Sequence, residues 1–325
     1  MKELKAYLQP GIDRVAACMD ETLKSDIALL DATNRSLREH SGKMMRPMLA
    51  LLVAGATGTP CETTYRYAAA TELLHNATLL HDDVVDGATE RRGLPTVASL
   101  LGGSAAVLIG DYWLVQCLQL VMKSNAPEAN RVLRIFADTL GNLAQGEMLQ
   151  MQKATDADTT EADYLRIIFG KTASLFESAA VTAALSVGAD ESVIKAMGDF
   201  GLLLGIAFQI KDDIFDYDEN AAAIGKPVGI DLREQKITQP LLCALEKADV
   251  STQQAIRAQV KDIPDHPENV AAVTAFVKEK DGVALAREKM DFYVAQAVSC
   301  LDILPDSKEK LYLAQLAEFV GRRDK

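Results

Sequence analysis

Apolar residues recur with the 3.6-residue spacing of an α-helix along most of the 325-residue chain, and strand-like alternation is rare. Hydrophobic residues make up 49% of the chain but aromatic residues only 6%, so good helix formers supply most of the apolar side chains. The 10 prolines are few enough to allow long helices with short connections. The pattern predicts one all-α domain, residues 1–325, of roughly ten or more helices.

The helical pattern divides into segments that are separated by short polar stretches. Pro47 follows a Ser-Gly-Lys turn and opens an apolar run, as prolines in the first turn of a helix do. Thr160 with Asp163 has the spacing of a capping pair, and Gly201 with Gly205 would let another helix approach closely. We predict helices over Thr64–Val85, Ala105–Met122, Asn130–Gln152, Thr160–Val187 and Glu191–Tyr217, with loops at 87–93, 155–159, 225–236 and 261–267.

Charge and cysteine usage argue against several classes of protein. A formal net charge of −12 disfavours nucleic acid as a partner, because phosphate backbones select basic surfaces. The 5 cysteines are scattered without a Cys-x-x-Cys pair, so no zinc site or disulfide framework is predicted. The first ten residues lack the apolar run of a signal peptide. The most apolar stretches, 48–56 and 202–210, are too short to span a bilayer, so we expect a cytoplasmic protein.

Two Asp-Asp-x-x-Asp clusters follow apolar helical stretches. Carboxylates three and four residues apart on a helix share one face and repel each other unless a cation binds. Hard oxygen ligands of this kind suit Mg²⁺, which substrate phosphates can complete. One cluster alone is equally well explained as a solvated acidic helix end, but the repetition favours a metal site. The candidate ligands are Asp82, Asp83, Asp86, Asp212, Asp213 and Asp216.

Basic residues accompany both clusters. Lys43 and Arg46 precede a helix start, where free backbone N–H groups favour anions. Arg91 and Arg92 follow the first cluster directly, and adjacent side chains can serve two different anions. Each of these cations alone is most simply a solvated surface residue. Together with the acidic clusters, and with Lys171 and Lys226, they predict diphosphate chemistry.

The ordered motifs His-Asp-Asp-Val-Val-Asp, Arg-Arg-Gly, Lys-Thr, Phe-Gln-x-x-Asp-Asp-x-x-Asp and Gly-Lys-x-x-Gly-x-Asp-Leu resemble those of the trans-isoprenyl diphosphate synthases, or polyprenyl synthetases. The resemblance runs from Gly42 to about Leu242. It implies a single large helical bundle of the isoprenoid synthase type with a central active-site cavity. It also implies a homodimer that condenses isopentenyl diphosphate with an allylic diphosphate such as farnesyl or geranylgeranyl diphosphate. Membrane contact would arise only through the lipophilic product.

The resemblance further implies roles for individual residues. The six aspartates would hold Mg²⁺, as three ions when the allylic diphosphate is bound. Arg91, Lys171 and Lys226 would contact that diphosphate, and Thr172 and Gln209 would lie near the reacting carbon. The isopentenyl diphosphate site would comprise Lys43, Arg46, His75 and Arg92, with the basic tail 322–325 closing over it. Ser41, Met44 and Gln235 depart from the family pattern and place one diphosphate contact and one loop conformation in doubt.

Product length is expected to depend on the helical turn before the first cluster. Ala77 and Thr78 are small, whereas short-chain members of the family carry aromatic residues there. An open channel predicts a medium- or long-chain all-trans product, with Leu73 or Trp113 as candidate floor residues. The alternatives are a short-chain geranylgeranyl diphosphate synthase, a class I terpene cyclase, and a non-catalytic partner subunit. A cyclase would not need a second diphosphate site, and a partner subunit can lack one acidic cluster.

Overall fold

The computed structural model of the chain describes residues 2–40, 42–217 and 228–322. These residues form an all-α fold, which confirms the predicted fold class. Extended structure in the described ranges is limited to one short hairpin. The predicted contact Lys226 and the end of the basic tail, residues 323–325, lie outside the described residues.

The helices and strands are numbered here in chain order. They are α1 Lys2–Thr22, α2 Ala28–Glu39, α3 Met45–Thr57, α4 Glu62–Val85, β1 Glu90–Arg91, β2 Leu94–Pro95, α5 Val97–Leu101, α6 Gly103–Lys123, α7 Ala129–Asp156, α8 Glu161–Ile168, α9 Ser174–Ser186, α10 Glu191–Phe215, α11 Ile230–Arg233, α12 Gln239–Glu246, α13 Val250–Lys261, α14 Asn269–Glu279, α15 Gly282–Ser299 and α16 Lys308–Arg322. A π-helical turn, Phe169–Ala173, follows α8, and a 3-10 turn, Cys300–Ile303, follows α15.

The chain divides into two compact units, and each is assembled from separate stretches of sequence. The first unit comprises Met1–Ala137, Ser178–Gly198 and Ile303–Leu313. The second comprises Asp138–Glu177, Asp199–Asp302 and Ala314–Lys325. The organisation as one domain, residues 1–325, stays a prediction.

Helix α4 lies at the centre of the first unit and packs against α6, α3 and α1. A capping box starts it, in which the backbone N–H of Cys61 donates to Thr64 Oγ1 at 3.1 Å. Tyr67 and Leu73 are fully buried within it, so the apolar face holds the helix in the core. Gly87, at φ +62°, ends the helix one residue beyond Asp86. The first acidic cluster therefore lies on the last turn and the C-cap of a core helix.

In the second unit, α12 packs against α15 and α13 against α14. Pro240 begins α12, where its missing N–H costs nothing. Gly282 permits the close approach of α15, because a Cβ there would lie 2.3 Å from the carbonyl oxygen of Pro240. Leu241 and Ala244 are fully buried in this contact region.

The predicted elements are confirmed in most places and wrong in three. The capping pair is confirmed, since the Thr160 and Asp163 side chains each bond the other's backbone N–H. The loop at 87–93 instead contains β1 and the turn to β2. The single helix over Thr160–Val187 is broken by the π-helical turn. The loop at 225–236 includes the short helix α11.

Two helices, α6 and α10, are long and apolar enough to cross a bilayer by length and composition. The apolar stretch predicted at 202–210 is thus part of a longer helix, α10. In the fold, 44% of the most apolar 18-residue stretch of α6 is buried, and 50% of the corresponding stretch of α10. Core helices of soluble proteins satisfy the same criterion, so the two helices are weak evidence for a membrane span.

Candidate active site

The first aspartate cluster occupies the C-terminal turn of α4. Asp83 is 5% exposed, whereas Asp82 is half-buried and Asp86 is exposed. Asp86 caps the helix, with its N–H donating to the Asp82 carbonyl oxygen at 2.8 Å. Arg91 Nε donates to Asp83 Oδ1 at 2.7 Å. The buried carboxylate of the cluster is therefore paired with a cation, and its two neighbours face more solvent.

A two-residue turn aims the arginines that follow this cluster. Arg91 pairs with Leu94 across the hairpin, and Arg92 and Gly93 form the turn with φ values of +55° and +79°. Positive φ at both central residues is the type I′ arrangement that matches the twist of two antiparallel strands. The turn sends Arg91 back to Asp83 and leaves Arg92 to point elsewhere, as the sequence predicts for adjacent residues.

Arg92 lies against the segment that carries the other predicted cations. A Cβ on Gly42 would lie 2.4 Å from Arg92 Nη2, so the guanidinium occupies the space that the glycine leaves open. Arg92 Nη1 also donates weakly to the carbonyl oxygen of His40 at 3.4 Å. Lys43 and Arg46 follow Gly42 closely, and Arg46 lies in the first turn of α3. The structure thus brings Arg92 to the predicted anion-binding helix start.

His75 lies on α4 beside these cations. Burial, together with the nearby Arg46, Arg92 and Arg91, lowers the pKa of His75 well below its usual range. A neutral imidazole can donate one hydrogen bond and accept another. Thr78, one turn further along, donates its hydroxyl to the carbonyl oxygen of His75 at 2.8 Å.

The predicted chain-length residues lie in the interior of the first unit. Ala77 is fully buried and Thr78 is 6% exposed. Of the two candidate floor residues, Leu73 is fully buried, and Trp113 lines a cavity of about 190 Å³ beside Asp83, Arg91 and Arg92. The Trp113 indole N–H donates to Asn34 Oδ1 at 2.8 Å.

In the second unit, the π-helical turn carries Lys171 and Thr172. Its backbone contacts α7 closely, since a Cβ on Gly170 would lie 2.4 Å from the Asn142 carbonyl oxygen. This contact brings Lys171 Nζ to 2.7 Å from Glu147 Oε1 and 3.1 Å from Gln150 Oε1. Single-turn π-helical insertions are common at functional sites, because they re-aim side chains within a helix.

A chain of hydrogen bonds joins the turn to the second aspartate cluster. Thr172 Oγ1 donates to Gln209 Oε1 at 2.7 Å, and Gln209 Nε2 donates to Asp213 Oδ1 at 2.9 Å. The other Asp213 oxygen accepts from the Tyr164 hydroxyl at 2.6 Å. Gly205 allows this proximity, because a Cβ there would lie 2.5 Å from the Ala173 Cα. The predicted close approach at Gly205 is therefore confirmed.

The three aspartates of this cluster have different surroundings. Asp212 is half-buried, and Asp213 is 3% exposed. Burial raises the pKa of Asp213 to about 6, and the bonds from Tyr164 and Gln209 oppose that rise. Asp216 accepts the backbone N–H groups of Ile230 and Asp231, at 2.9 and 3.0 Å, at the start of α11.

Asp231 is a fourth carboxylate of this group that sequence reasoning did not select. Burial, reinforced by repulsion from Asp213 and Asp216, raises the pKa of Asp231 to about 8. Asp231 and Lys236 line a cavity of about 140 Å³ together with Lys171, Gln209 and Asp213. Asp231 is the aspartate of the motif Gly-Lys-x-x-Gly-x-Asp-Leu, so that motif could have identified it as a site residue. No motif marks Tyr164, because its place in the site depends on its hydrogen bond to Asp213, which lies 49 residues further along the chain.

Within the described residues, no group of three or more His, Cys, Asp or Glu side chains is already arranged to hold a metal ion. The donor chemistry nevertheless fits a hard divalent cation, since each cluster supplies several carboxylate oxygens. Burial, and to a lesser extent repulsion between neighbouring carboxylates, raises the pKa of Asp213 and Asp231, and a bound cation would oppose both effects.

Comparisons with known proteins identify the family of the chain. The profile of the polyprenyl synthetase family matches residues 27–277. The octaprenyl diphosphate synthase of Haemophilus influenzae is 36% identical over 315 residues, which cover 97% of this chain and 94% of that protein. The crystal structure of a decaprenyl diphosphate synthase from Rhodobacter capsulatus matches with a TM-score of 0.91 and 35% identity, over 100% of this chain and 99% of the other. A polyprenyl synthase from Caulobacter crescentus, complexed with calcium and isoprenyl diphosphate, matches with a TM-score of 0.89 and 30% identity, over 100% and 98% of the two chains.

Proposed function

The chain belongs to the polyprenyl synthetase family and is a prenyltransferase, and from this premise we propose which reaction it performs and which residues perform it. It condenses isopentenyl diphosphate with an allylic diphosphate, such as farnesyl or geranylgeranyl diphosphate, to give a medium- or long-chain all-trans polyprenyl diphosphate. The observation that carries this proposal is the end of α4, where an aspartate cluster, the Arg91–Asp83 pair and the Arg92 side chain lie together.

Mg²⁺ is the proposed cofactor, held by the six aspartates of the two clusters as three ions when the allylic diphosphate is bound. The ions would neutralise the leaving diphosphate. The crowding of carboxylates around Asp213 supports this assignment, because burial and mutual repulsion there raise the pKa of both Asp213 and Asp231. Asp216 contributes by fixing the start of α11, which keeps Asp231 in this group.

Arg91, Lys171 and Lys226 are the proposed contacts of the allylic diphosphate. Arg91 donates to the buried Asp83 through Nε, and its Nη groups would donate to the diphosphate while that pair stays intact. Lys171 is held by Glu147 and Gln150, which orient the ammonium group before substrate arrives. Preorganised cations of this kind stabilise charge that develops as the C–O bond breaks.

The second substrate, isopentenyl diphosphate, is proposed to bind at the start of α3. Lys43, Arg46 and Arg92 would hold its diphosphate, with His75 as a neutral hydrogen-bonding partner. When the allylic C–O bond breaks, its electron pair leaves with the diphosphate. The double bond of isopentenyl diphosphate then forms the new C–C bond, and the released diphosphate accepts the proton that is lost.

Thr172 and Gln209 are proposed to stabilise the allylic cation with their side-chain oxygens. The 2.7 Å bond from Thr172 to Gln209 fixes both groups, and Asp213 holds the other end of the Gln209 amide. Fixed dipoles near a developing positive charge need no reorganisation during the reaction. Ala77 and Thr78 are proposed to leave room for a long product.

A homodimer is proposed on the basis of one exposed helix face. Leu108, Val115 and Met122 are spaced seven residues apart on α6 and are 68%, 50% and 61% exposed. A stripe of this spacing is typical of helices that pack against a partner helix.

We further propose that the enzyme is cytoplasmic, that it does not bind nucleic acid, and that it meets membranes only through its lipophilic product.

Product analysis tests the reaction. The purified chain is incubated with Mg²⁺, isopentenyl diphosphate and one of several allylic primers, and products are identified by mass spectrometry. Extended polyprenyl diphosphates are expected, and a chelator should abolish them until Mg²⁺ is restored. Turnover of the primer without isopentenyl diphosphate would indicate a cyclase, and activity only with an added second subunit would indicate a partner protein. Products no longer than geranylgeranyl diphosphate would contradict the assigned chain length.

A further inference from the structure

Tyr164 is a buried polar residue to which the proposed function gives no role. It lies on α8 and is 2% exposed. Its hydroxyl donates to Asp213 Oδ2 at 2.6 Å, a distance typical of a hydroxyl bonded to an ionised carboxylate. The Gln209 amide donates to the other oxygen of Asp213 at 2.9 Å. The carboxylate of Asp213, itself 3% exposed, is therefore held from two sides.

Helix α8 is anchored at the end from which Tyr164 projects. Glu161, its first residue, pairs with Lys289 Nζ of α15 at 2.5 Å. Arg257 of α13 donates to two backbone carbonyl oxygens of the loop before α8, at 3.1 and 3.0 Å. The hydroxyl that reaches Asp213 therefore comes from a helix start that is tied to two other helices of the second unit.

The π-helical turn brings a second side chain of the same segment to this carboxylate. Tyr164 and Thr172 lie eight residues apart, which in a regular α-helix would turn them about 80° away from each other. The extra residue of the π-helical turn offsets this rotation, so that both side chains contact α10. Thr172 bonds Gln209, one turn before Asp213. One helical segment thus holds both oxygens of Asp213, one directly and the other through Gln209.

Such an arrangement suits a carboxylate that binds a cation. An ionised carboxylate offers roughly four acceptor positions, and the bonds from Tyr164 and Gln209 use two of them. Because the two bonds lie on different oxygens, together they restrict the rotation of the carboxylate more than either bond does alone. Groups of this kind behind metal ligands orient them, and their loss typically lowers metal affinity about 10- to 100-fold.

We propose that Tyr164 is a positioning residue, which orients the Asp213 carboxylate for Mg²⁺ in the second aspartate cluster. This role rests on the proposed function, because it assumes that the cluster binds the metal. Tyr164 would touch neither the metal nor the substrate. A purely structural role, in which the buried hydroxyl only needs an acceptor, predicts a loss of stability without a change in metal binding.

The test measures metal binding by Tyr164→Phe in the full-length chain. The melting temperature is followed as Mg²⁺ is added at a fixed concentration of inorganic diphosphate, which reports binding without turnover. We expect the Mg²⁺ concentration that gives half of the stabilisation to rise about tenfold or more. The turnover rate at low Mg²⁺ should fall, and excess Mg²⁺ should restore it, because only the orientation of one ligand is lost.

Tyr67→Phe is the matched control, since Tyr67 is fully buried and its hydroxyl lies 3.3 Å from Ser124 Oγ. It removes the same group and should leave the Mg²⁺ requirement unchanged, whatever its effect on the melting temperature of the metal-free chain. In an Asp213→Asn background, Tyr164→Phe should change the Mg²⁺ requirement by less than about twofold, because the carboxylate through which it acts is gone.

Three results would overturn the positioning role. A wild-type Mg²⁺ requirement in Tyr164→Phe, or a variant that no longer folds, would leave the hydroxyl a purely structural role. A similar rise in Tyr67→Phe would show that the Mg²⁺ requirement follows general stability rather than the orientation of Asp213. If Asp213→Asn alone leaves the requirement unchanged, the proposed metal site is wrong in the second cluster, and the role of Tyr164 fails with it.

Discussion

Gly170 is the residue at which one added methyl group would most directly disturb the proposed site in the second unit. A Cβ there would lie 2.4 Å from the Asn142 carbonyl oxygen and 3.1 Å from the Gly146 Cα. Ordinary carbon–oxygen contacts are about 3.3–3.6 Å, so the π-helical turn and α7 would have to separate by roughly 1 Å. Both contacts involve backbone atoms, which cannot rotate away as a side chain can.

The expected effects of Gly170→Ala on stability and on activity differ in size. Overpacking costs about 1–3 kcal/mol, and alanine regains about 0.5–1 kcal/mol over glycine within a helix. The net loss should be about 1–2 kcal/mol, or a few degrees in melting temperature. A displacement of roughly 1 Å moves Lys171 and Thr172 together, and misplacement of that size can reduce kcat by about 100-fold.

Steady-state kinetics and calorimetry on the same preparations check this expectation. Gly141→Ala is the control, because Gly141 also lies on α7 but is exposed. Among the residues that the structure describes, no atom would lie within 4 Å of a Cβ added at Gly141. It should preserve kcat and slightly raise the melting temperature. Wild-type kcat in Gly170→Ala would show that the tight contact does not position the proposed catalytic groups.

Three further substitutions test the first unit. Ala77→Phe fills a fully buried position and should shorten the product seen by mass spectrometry; the wild-type distribution from a folded variant would contradict the chain-length role. Asn34→Ala leaves the indole N–H of Trp113, the sole tryptophan, without its acceptor. It should destabilise the chain by about 1–3 kcal/mol and shift the tryptophan emission. Gly42→Ala should push the flexible Arg92 side chain aside and raise the KM for isopentenyl diphosphate several-fold, with little change in melting temperature.

The helices were predictable because their signals are local. Apolar periodicity, the Thr160–Asp163 capping pair and the first-turn position of Pro47 each depend on residues within one or two turns. The predicted loop at 261–267 is confirmed, since α13 ends at Lys261 and α14 begins at Asn269. Such features survive in almost any tertiary context, so the fold class follows from them.

The π-helical turn and the hairpin were not predicted, because their causes lie elsewhere in the chain. The helical pattern continues across 169–173, and the insertion becomes understandable only when α7 and α10 contact it at Gly170 and Ala173. The hairpin is too short for a period-2 pattern to be visible, with only two residues in each strand. Arg92-Gly93 was its one local signal, since a two-residue turn needs positive φ at both positions.

The two acidic clusters show how far a repeated motif can be read. Asp86 and Asp216 hold the same position in the same pattern, and sequence reasoning assigned them the same role. In the structure Asp86 is an exposed cap, whereas both carboxylate oxygens of Asp216 accept backbone N–H groups at the start of α11. The segment after each cluster makes this difference, because the one after the second cluster returns its backbone to Asp216, whereas the one after the first returns a side chain, Arg91, to Asp83. The spacing of a motif therefore predicts the kind of ligand it can bind. The hydrogen bonds that each of its carboxylates accepts depend on the segment that packs beside it.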